Sequence, residues 1–361
     1  MKTRRWEYCV YQRGSEIPTF VDDYFAAKDR RVLVIAGLGF DWRSINISAT
    51  IASPLGERVQ GLLLQEERPN PDPRLVERVS LCLHQMQSLI PVCDVQTIEI
   101  FAPDGAVVSG RNAVRVIRQT SLDSFTDIVI DASALSIGIL FPLVRYVLHK
   151  AESSISPLHV HLMFTSVPAY DDAITATASD IVGTIHGFKG GLNLDQNYDA
   201  ARLWLPQLVK GQRAVLDRLH TYVNPHDVCP ILPFPAHHPR MADRLIEYYQ
   251  QEFESTWEVD DSAIVYAAEH NPLDLYRTVL RIDETRKRIF EVMGNSLIVL
   301  SPIGSKTLAL GAMMAAIERD LPVTYVETVA YMADWSALPQ QPTSEGEIIH
   351  LWLYDGEHDH S

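Results

Sequence analysis

Residues 297–327 constrain this 361-residue chain most, because they read in order as strand, turn, helix and strand. Leu297-Ile298-Val299-Leu300 is a short unbroken apolar run, the pattern of a strand buried on both faces. It breaks at Ser301-Pro302-Ile303-Gly304-Ser305-Lys306, where proline and glycine interrupt regular pairing. Residues 307–319, built from Leu, Ala, Gly and Met, predict a helix, and Pro322-Val323-Thr324-Tyr325-Val326-Glu327 predicts a second strand. Such a parallel β-α-β unit carries a small, lysine-bearing turn at the carboxyl end of its first strand, where open α/β sheets take ligands.

Similar units recur along the chain. Residues 31–36 are strand-like and run into Gly37-Leu38-Gly39-Phe40-Asp41-Trp42-Arg43, where two glycines permit a tight turn and close backbone approach. The third glycine of a dinucleotide fingerprint is replaced by Trp42, so that motif is incomplete. Strands are expected at 61–66, 95–101, 127–130 and 159–165, with helices at 74–89, 113–119 and 137–150. In the second half, strands are expected at 180–185, 228–233, 262–267 and 348–354, the last antiparallel at an edge. Helices are expected at 207–222, from about 241 to 251, and 273–293, with a glycine-rich polar loop at 187–197 and a proline-containing linker at 336–345. The implied fold class is α/β: two Rossmann-like, mostly parallel doubly wound units. Residues 1–172 form the first with an N-terminal arm, and 173–361 the second with a C-terminal strand and tail.

The two halves suggest an internal duplication. Phe40-Asp41-Trp42-Arg43 would correspond to residues 234–240, and Glu66 with Asn70-Pro71 to Glu269 with Asn271-Pro272. Asp131 with its serine turn, helix and strand would correspond to residues 301–327. All these residues fall at expected strand ends.

Composition narrows the function classes. With 47% hydrophobic and 21% charged residues the chain is globular rather than disordered, and its formal net charge of −15 argues against a broad nucleic-acid surface. A local basic pocket for a small anion remains compatible with that charge. The N-terminus lacks a secretory apolar run, and the apolar stretch at 137–148 is too short for a bilayer and is broken by Pro142 and Arg145. Cys9, Cys82, Cys93 and Cys229 form no CxxC pair and read as free thiols, so a cytoplasmic setting is expected. His159-Val160-His161, His237-His238 and the tail histidines His358 and His360 have no partner at a recognised ligand spacing. No metal and no cofactor are therefore expected. Neither a GxSxG elbow nor an activated cysteine supports nucleophilic catalysis.

The candidate ligand-binding residues each have two readings. Ser301, Gly304, Ser305 and Lys306 supply N–H groups, hydroxyls and a charge suited to phosphate, yet Ser305 is equally a helix cap and Lys306 a solvated residue. Arg43, beside Gly37 and Gly39, and Arg240 are anion partners or surface arginines. Glu66 and Glu269 are ribose or amine ligands, general bases, or solvated acids at strand ends. Asp131 with Ser133 and Ser136 is an acid with hydroxyl donors, or a pair of helix caps; Asn271 and Glu327 complete the strand-end set.

Residues 297–327 resemble the terminal β-α-β unit of CARF domains, the Rossmann-like sensors of cyclic oligoadenylates in CRISPR-associated proteins. The likeness rests on Ser301, Gly304-Ser305-Lys306, Ala315-Ala316-Ile317-Glu318-Arg319 and Leu321-Pro322-Val323-Thr324-Tyr325-Val326-Glu327-Thr328; Pro302 and Ile303 depart from the family's glycine or threonine. The resemblance implies a second-messenger sensor of antiviral defence that binds a nucleotide or cyclic oligonucleotide. Its partners would be that ligand and a protein partner or a second copy, with no duplex nucleic acid and no membrane. A phosphoester-cleaving enzyme using Glu66 or Glu269, and a non-catalytic scaffold subunit of a defence-type assembly, are the alternatives.

Overall fold

In the computed structural model the N-terminal half alternates strand and helix, each buried apolar run becoming a strand. Residues 4–69, 71–192, 200–290, 295–341 and 343–356 are described. Tyr11–Arg13 (β1) and Glu16–Phe20 (α1) lead into Val32–Gly37 (β2), buried at every residue. Then come Arg43–Leu55 (α2), Val59–Glu67 (β3), Pro73–Leu89 (α3), Cys93–Glu99 (β4) and Ser109–Gln119 (α4). Asp127–Asp131 (β5), Ile137–Glu152 (α5) and His159–Ser166 (β6) follow, all three deeply buried, and Pro168–Ala173 (α6) ends this run.

The second half repeats the alternation after Ile174–Thr184 (β7). Ala201–Pro206 (β8), Arg213–Val223 (α7), Asp227–Val228 (β9), Ile231–Pro233 (β10) and Met241–Tyr248 (α8) come first. Val265–Ala267 (β11), Pro272–Phe290 (α9), Ser296–Ser301 (β12), Lys306–Arg319 (α10), Thr324–Ala333 (β13) and Glu347–Tyr354 (β14) complete the chain. No helix of the described residues is long and apolar enough to cross a membrane.

The chain forms a mixed α/β fold of two units. A flanking unit comprises Tyr8–Thr177 and Thr328–Ser361, and an inserted unit comprises Met1–Glu7 and Ala178–Glu327. The contiguous division expected at residue 172 is therefore replaced by one in which the C-terminal segment belongs with the first half. The cause is strand pairing: β14 lies antiparallel to β6, from Glu347 opposite Ser166 to Leu351 opposite Leu162. It is not an edge strand either, because β1 pairs along its other side. The β7·β13 ribbon is divided between the units, so the strand expected at 180–185 joins neither main sheet.

In the flanking unit the sheet runs β1-β14-β6-β5-β2-β3-β4, with β6, β5, β2, β3 and β4 mutually parallel. Its first and fourth parallel strands, β2 and β5, are thus neighbours, the switch point of a Rossmann-like doubly wound sheet. Residues 336–345, expected as a linker, begin instead as a packed segment. Leu338 is buried, and the Pro339 carbonyl accepts from Trp42 Nε1 at 3.0 Å and from Arg78. The Arg78 guanidinium lies over both Trp42 (4.8 Å) and Trp335 (5.3 Å).

The inserted unit has the same order. β12 pairs with β8 and β8 with β9, all parallel, while β10 pairs with β11. Parallel bridges from Gln207 to Ile231 and from Leu300 to Val323 join these pieces into β11-β10-β8-β12 with Val323 outermost. β8 was not expected, since Arg202 and Pro206 interrupt its apolar core and a helix was placed from residue 207. Counting β8 as the first strand shifts the supposed correspondences. Phe40 to Arg43 stands opposite the loop after β8, not residues 234–240. Glu66 lies at the end of a second strand, whereas Glu269 follows a third. The match between residues 131–165 and 301–327 keeps its place, both being fourth-strand β-α-β units. Asn70, residues 193–197 of the expected loop, Met293 and the histidines at 358 and 360 lie outside the described residues.

A polar chain crosses the core of the flanking unit. The Asp127 carboxylate accepts from His161 Nε2 at 3.2 Å, Tyr24 Oη at 2.8 Å and Thr126 Oγ1 at 2.5 Å; Arg30 stands 3.7 Å away. His161 Nδ1 is 3.0 Å from His350 Nε2, and His350 Nδ1 is 3.0 Å from Gln12 Oε1. A carboxylate only accepts, so neutral His161 carries its proton on Nε2 and turns the lone pair of Nδ1 toward His350. Phe20, Tyr24, Phe25 and Trp352 wall in both rings. Burial pushes His161 below its ordinary value of 6.5 against the pull of Asp127, and burial together with His161 pushes His350 well below. His161 in turn overcomes burial to hold the Asp127 carboxyl below its usual range.

Both imidazoles refuse protons that the unfolded chain accepts below about pH 6.5, so their stability contribution is present above that pH and lost as pH falls. Asp127 adds a loss of the same sign at still lower pH. Thermal unfolding should therefore move to lower temperature from about pH 7.5 to about pH 5, with a shallower slope in His350→Gln. A slope unchanged by that substitution would show that His350 does not set it.

Candidate functional site

In a doubly wound sheet the first and fourth strands end side by side, and the helix after the fourth strand directs its unpaired N–H groups toward the gap. The flanking unit closes this position with its own atoms. A Cβ on Gly37, at the end of β2, would lie 2.9 Å from the carbonyl carbon of Ala134, so the loop after β5 rests directly on that glycine. Gly39 is looser, with the Ala134 methyl 3.8 Å from the same construction. Glu66, from the end of β3, places Oε1 2.7 Å from the Ser136 N–H and Oε2 2.5 Å from Arg68. A carboxylate thus sits at the N-terminus of α5, favoured there by the helix dipole.

The neighbouring candidates are engaged internally as well. Asp131 is fully buried and accepts from the Ser133 N–H at 2.8 Å, while the Ser133 hydroxyl accepts from the Thr165 N–H at 2.9 Å. Ser136 is the N-cap residue of α5 but makes no side-chain capping bond. Arg43, expected as an anion partner, is 8% exposed and ion-paired to Asp41 at 2.6 Å and Asp171 at 2.7 Å. Burial works against its charge, and the two carboxylates outweigh burial to raise its pKa.

The inserted unit resolves the same position differently. Ser301 ends β12 fully buried, with its Oγ accepting from Trp204 Nε1 at 2.8 Å and lying 2.7 Å from Thr324 Oγ1. Because Ser301 accepts from the indole, it donates to Thr324, which turns its own hydroxyl toward the Leu300 carbonyl at 3.4 Å. The expected phosphate contact of Ser301 is thus replaced by an inward structural bond. Ser305 caps α10, accepting from Leu308 N at 3.5 Å, and Lys306, half-buried, opens the helix.

Gln207, which the sequence reading placed inside a helix, stands across from this turn. Its backbone N–H donates to the Ser301 carbonyl at 3.0 Å, and a Cβ on Gly304 would lie 3.2 Å from its Cβ and Oε1. The side chain is 1% exposed, and neither Oε1 nor Nε2 has a hydrogen-bond partner among the described residues. Burying an amide this way costs about 1–3 kcal/mol. The second strand supplies no counterpart of Glu66, because β10 ends in Pro233 followed by Phe234. The signal that could have found Gln207 is the run Leu203-Trp204-Leu205 stopped by Pro206, which marks a strand end.

Of the remaining candidates, Arg240, Glu269 and Asn271 follow β10 and β11, on the far side of β8 from β12, whereas Glu327 lies on β13, beyond the Val323 bridge to β12. Arg240 is exposed and paired with Asp243 at 3.2 Å and Glu247 at 3.7 Å. Glu269 Oε2 accepts from the His237 N–H at 2.9 Å, and Asn271 Oδ1 accepts from Leu273 N at 3.0 Å at the start of α9. Glu327, on β13, is buried. Among the described residues no three His, Cys, Asp or Glu side chains are grouped to hold a metal ion.

The closure of the flanking unit is testable. Glu66→Ala leaves the Ser136 N–H without its acceptor and removes one partner of Arg68, which still donates to the Thr328 carbonyl, and should lower unfolding free energy by about 1–3 kcal/mol, measured by urea denaturation. Glu66→Gln, which keeps the acceptor for Ser136, should lose less. An unchanged midpoint in Glu66→Ala would refute the capping role.

No protein-family model matches the chain, and no curated protein matches it. Among solved structures, it is similar to the cytoplasmic domain of a prokaryotic cation chloride cotransporter, at 10% identity and a TM-score of 0.26, over 82% of this chain and 95% of that one.

Proposed function

We propose that this chain is a regulatory sensor that binds a small anionic ligand, a nucleotide or cyclic oligonucleotide, beyond the carboxyl ends of β8 and β12. The observation that carries this reading is the buried amide of Gln207, without a partner among the described residues, lying against Gly304 on the turn that opens α10. A phosphate there meets the N-terminus of a 14-residue helix, with Lys306 in its first turn. The flanking unit supports the assignment by contrast, since its equivalent helix start already holds the Glu66 carboxylate. The similarity of residues 297–327 to CARF domains agrees with a sensor that responds to a nucleotide second messenger.

The phosphoester-cleaving alternative needs Glu66 or Glu269 as a base. Both carboxylates instead accept backbone N–H bonds, from Ser136 and His237, which favours a positional role.

Calorimetric titration with a panel of linear and cyclic oligonucleotides tests the proposal. One of them should saturate, and Lys306→Ala should weaken it by about ten- to a hundredfold, the loss of one charge-assisted hydrogen bond. Absence of saturable binding, or affinity unchanged in Lys306→Ala, sinks it.

A further inference from the structure

Gln207 is held in place from both sides of its own strand. On one side its N–H donates to the Ser301 carbonyl; on the other it bridges Ile231, whose carbonyl accepts from the Leu208 N–H at 3.0 Å. The backbone therefore fixes the position from which the side chain leaves the sheet, and the amide lies against Gly304 with one acceptor and two donor hydrogens unmet among the described residues. A phosphate near neutral pH has acceptor oxygens to offer the NH2 group but no reliable hydrogen for Oε1. Satisfying both ends requires a ligand that carries a donor close to its phosphate.

We infer that Gln207 is a specificity-determining residue that selects a phosphate ester bearing a neighbouring hydroxyl, namely a ribonucleotide over its 2′-deoxy counterpart. The ribose hydroxyl donates to Oε1 while a phosphate oxygen accepts from Nε2, so one side chain reads both groups. An exocyclic base amine is a poorer candidate, because it lies farther from the phosphate in a nucleotide. The inference rests on the ligand site proposed above. It adds that the buried amide, which costs the ligand-free fold stability, is offset only when both its ends are bonded.

The experiment is titration of wild type, Gln207→Met and Gln207→Glu with cyclic and linear ribo-oligonucleotides and their 2′-deoxy counterparts, with thermal unfolding of each protein without ligand. Wild type should prefer the ribo form by about tenfold or more, the effect of one hydrogen bond to an otherwise unpaired buried group. Gln207→Met, of similar shape but apolar, should bind both forms alike and unfold at a higher temperature than wild type. Gln207→Glu, which keeps the acceptor, should retain the ribo preference while binding more weakly overall, and it carries the test should the methionine variant not fold. Equal affinities in wild type, or the same preference in Gln207→Met, overturn the inference while leaving the site intact. No binding of any probe by wild type overturns the site itself.

Discussion

The parallel pairing of β8 with β12 is the interaction on which the candidate site depends. It runs residue by residue from Ala201 opposite Ser296 to Pro206 opposite Ser301. In a parallel pair both chains leave the sheet at the same edge, so the turn after one strand meets the turn after the other. That register, and no local preference, sets Gln207 beside Gly304. β2 and β5 are paired in the same sense from Val32 opposite Asp127, and bring Gly37 under Ala134.

The two units thus share a strand order and differ in what fills its switch point. In the flanking unit the gap holds backbone and a carboxylate, so the orphan N–H of Ser136 and the charge of Arg68 are both satisfied by Glu66. In the inserted unit the corresponding position follows Pro233, and the gap faces an amide with both ends unmet among the described residues. The dipole at the N-terminus of α10 favours an anion. The difference is chemical rather than topological, and it concentrates the candidate binding capacity in one unit.

Much of the secondary structure was legible because its cause is local. The buried runs at 32–37, 127–131 and 296–301, and the helices at 73–89, 137–152 and 306–319, follow directly from apolar period and turn residues. Ala201–Pro206 carries only a weak strand signal because Arg202 and Pro206 dilute a six-residue strand, and the pattern therefore predicts a helix already from Gln207. The candidate site was legible only in part. Gly304, Ser305 and Lys306 mark a helix start by type alone, whereas the inward bond of Ser301 depends on Trp204 and Thr324 from other strands. Arg43 likewise read as a free cation until Asp171 was brought beside it.

By itself, then, the sequence determined an α/β chain of alternating buried strands and helices, a −15 charge unsuited to polyanion surfaces, and a lysine-bearing turn before a small-residue helix. These follow from side-chain period and composition, which act within a few residues. Tertiary structure decided which strands are neighbours, that residues 328–361 return to the first unit, which polar groups are paired and which amide is left unpaired. Those outcomes depend on hydrogen-bond partners far apart in the chain, where a residue's type states what it can bond but not what it meets.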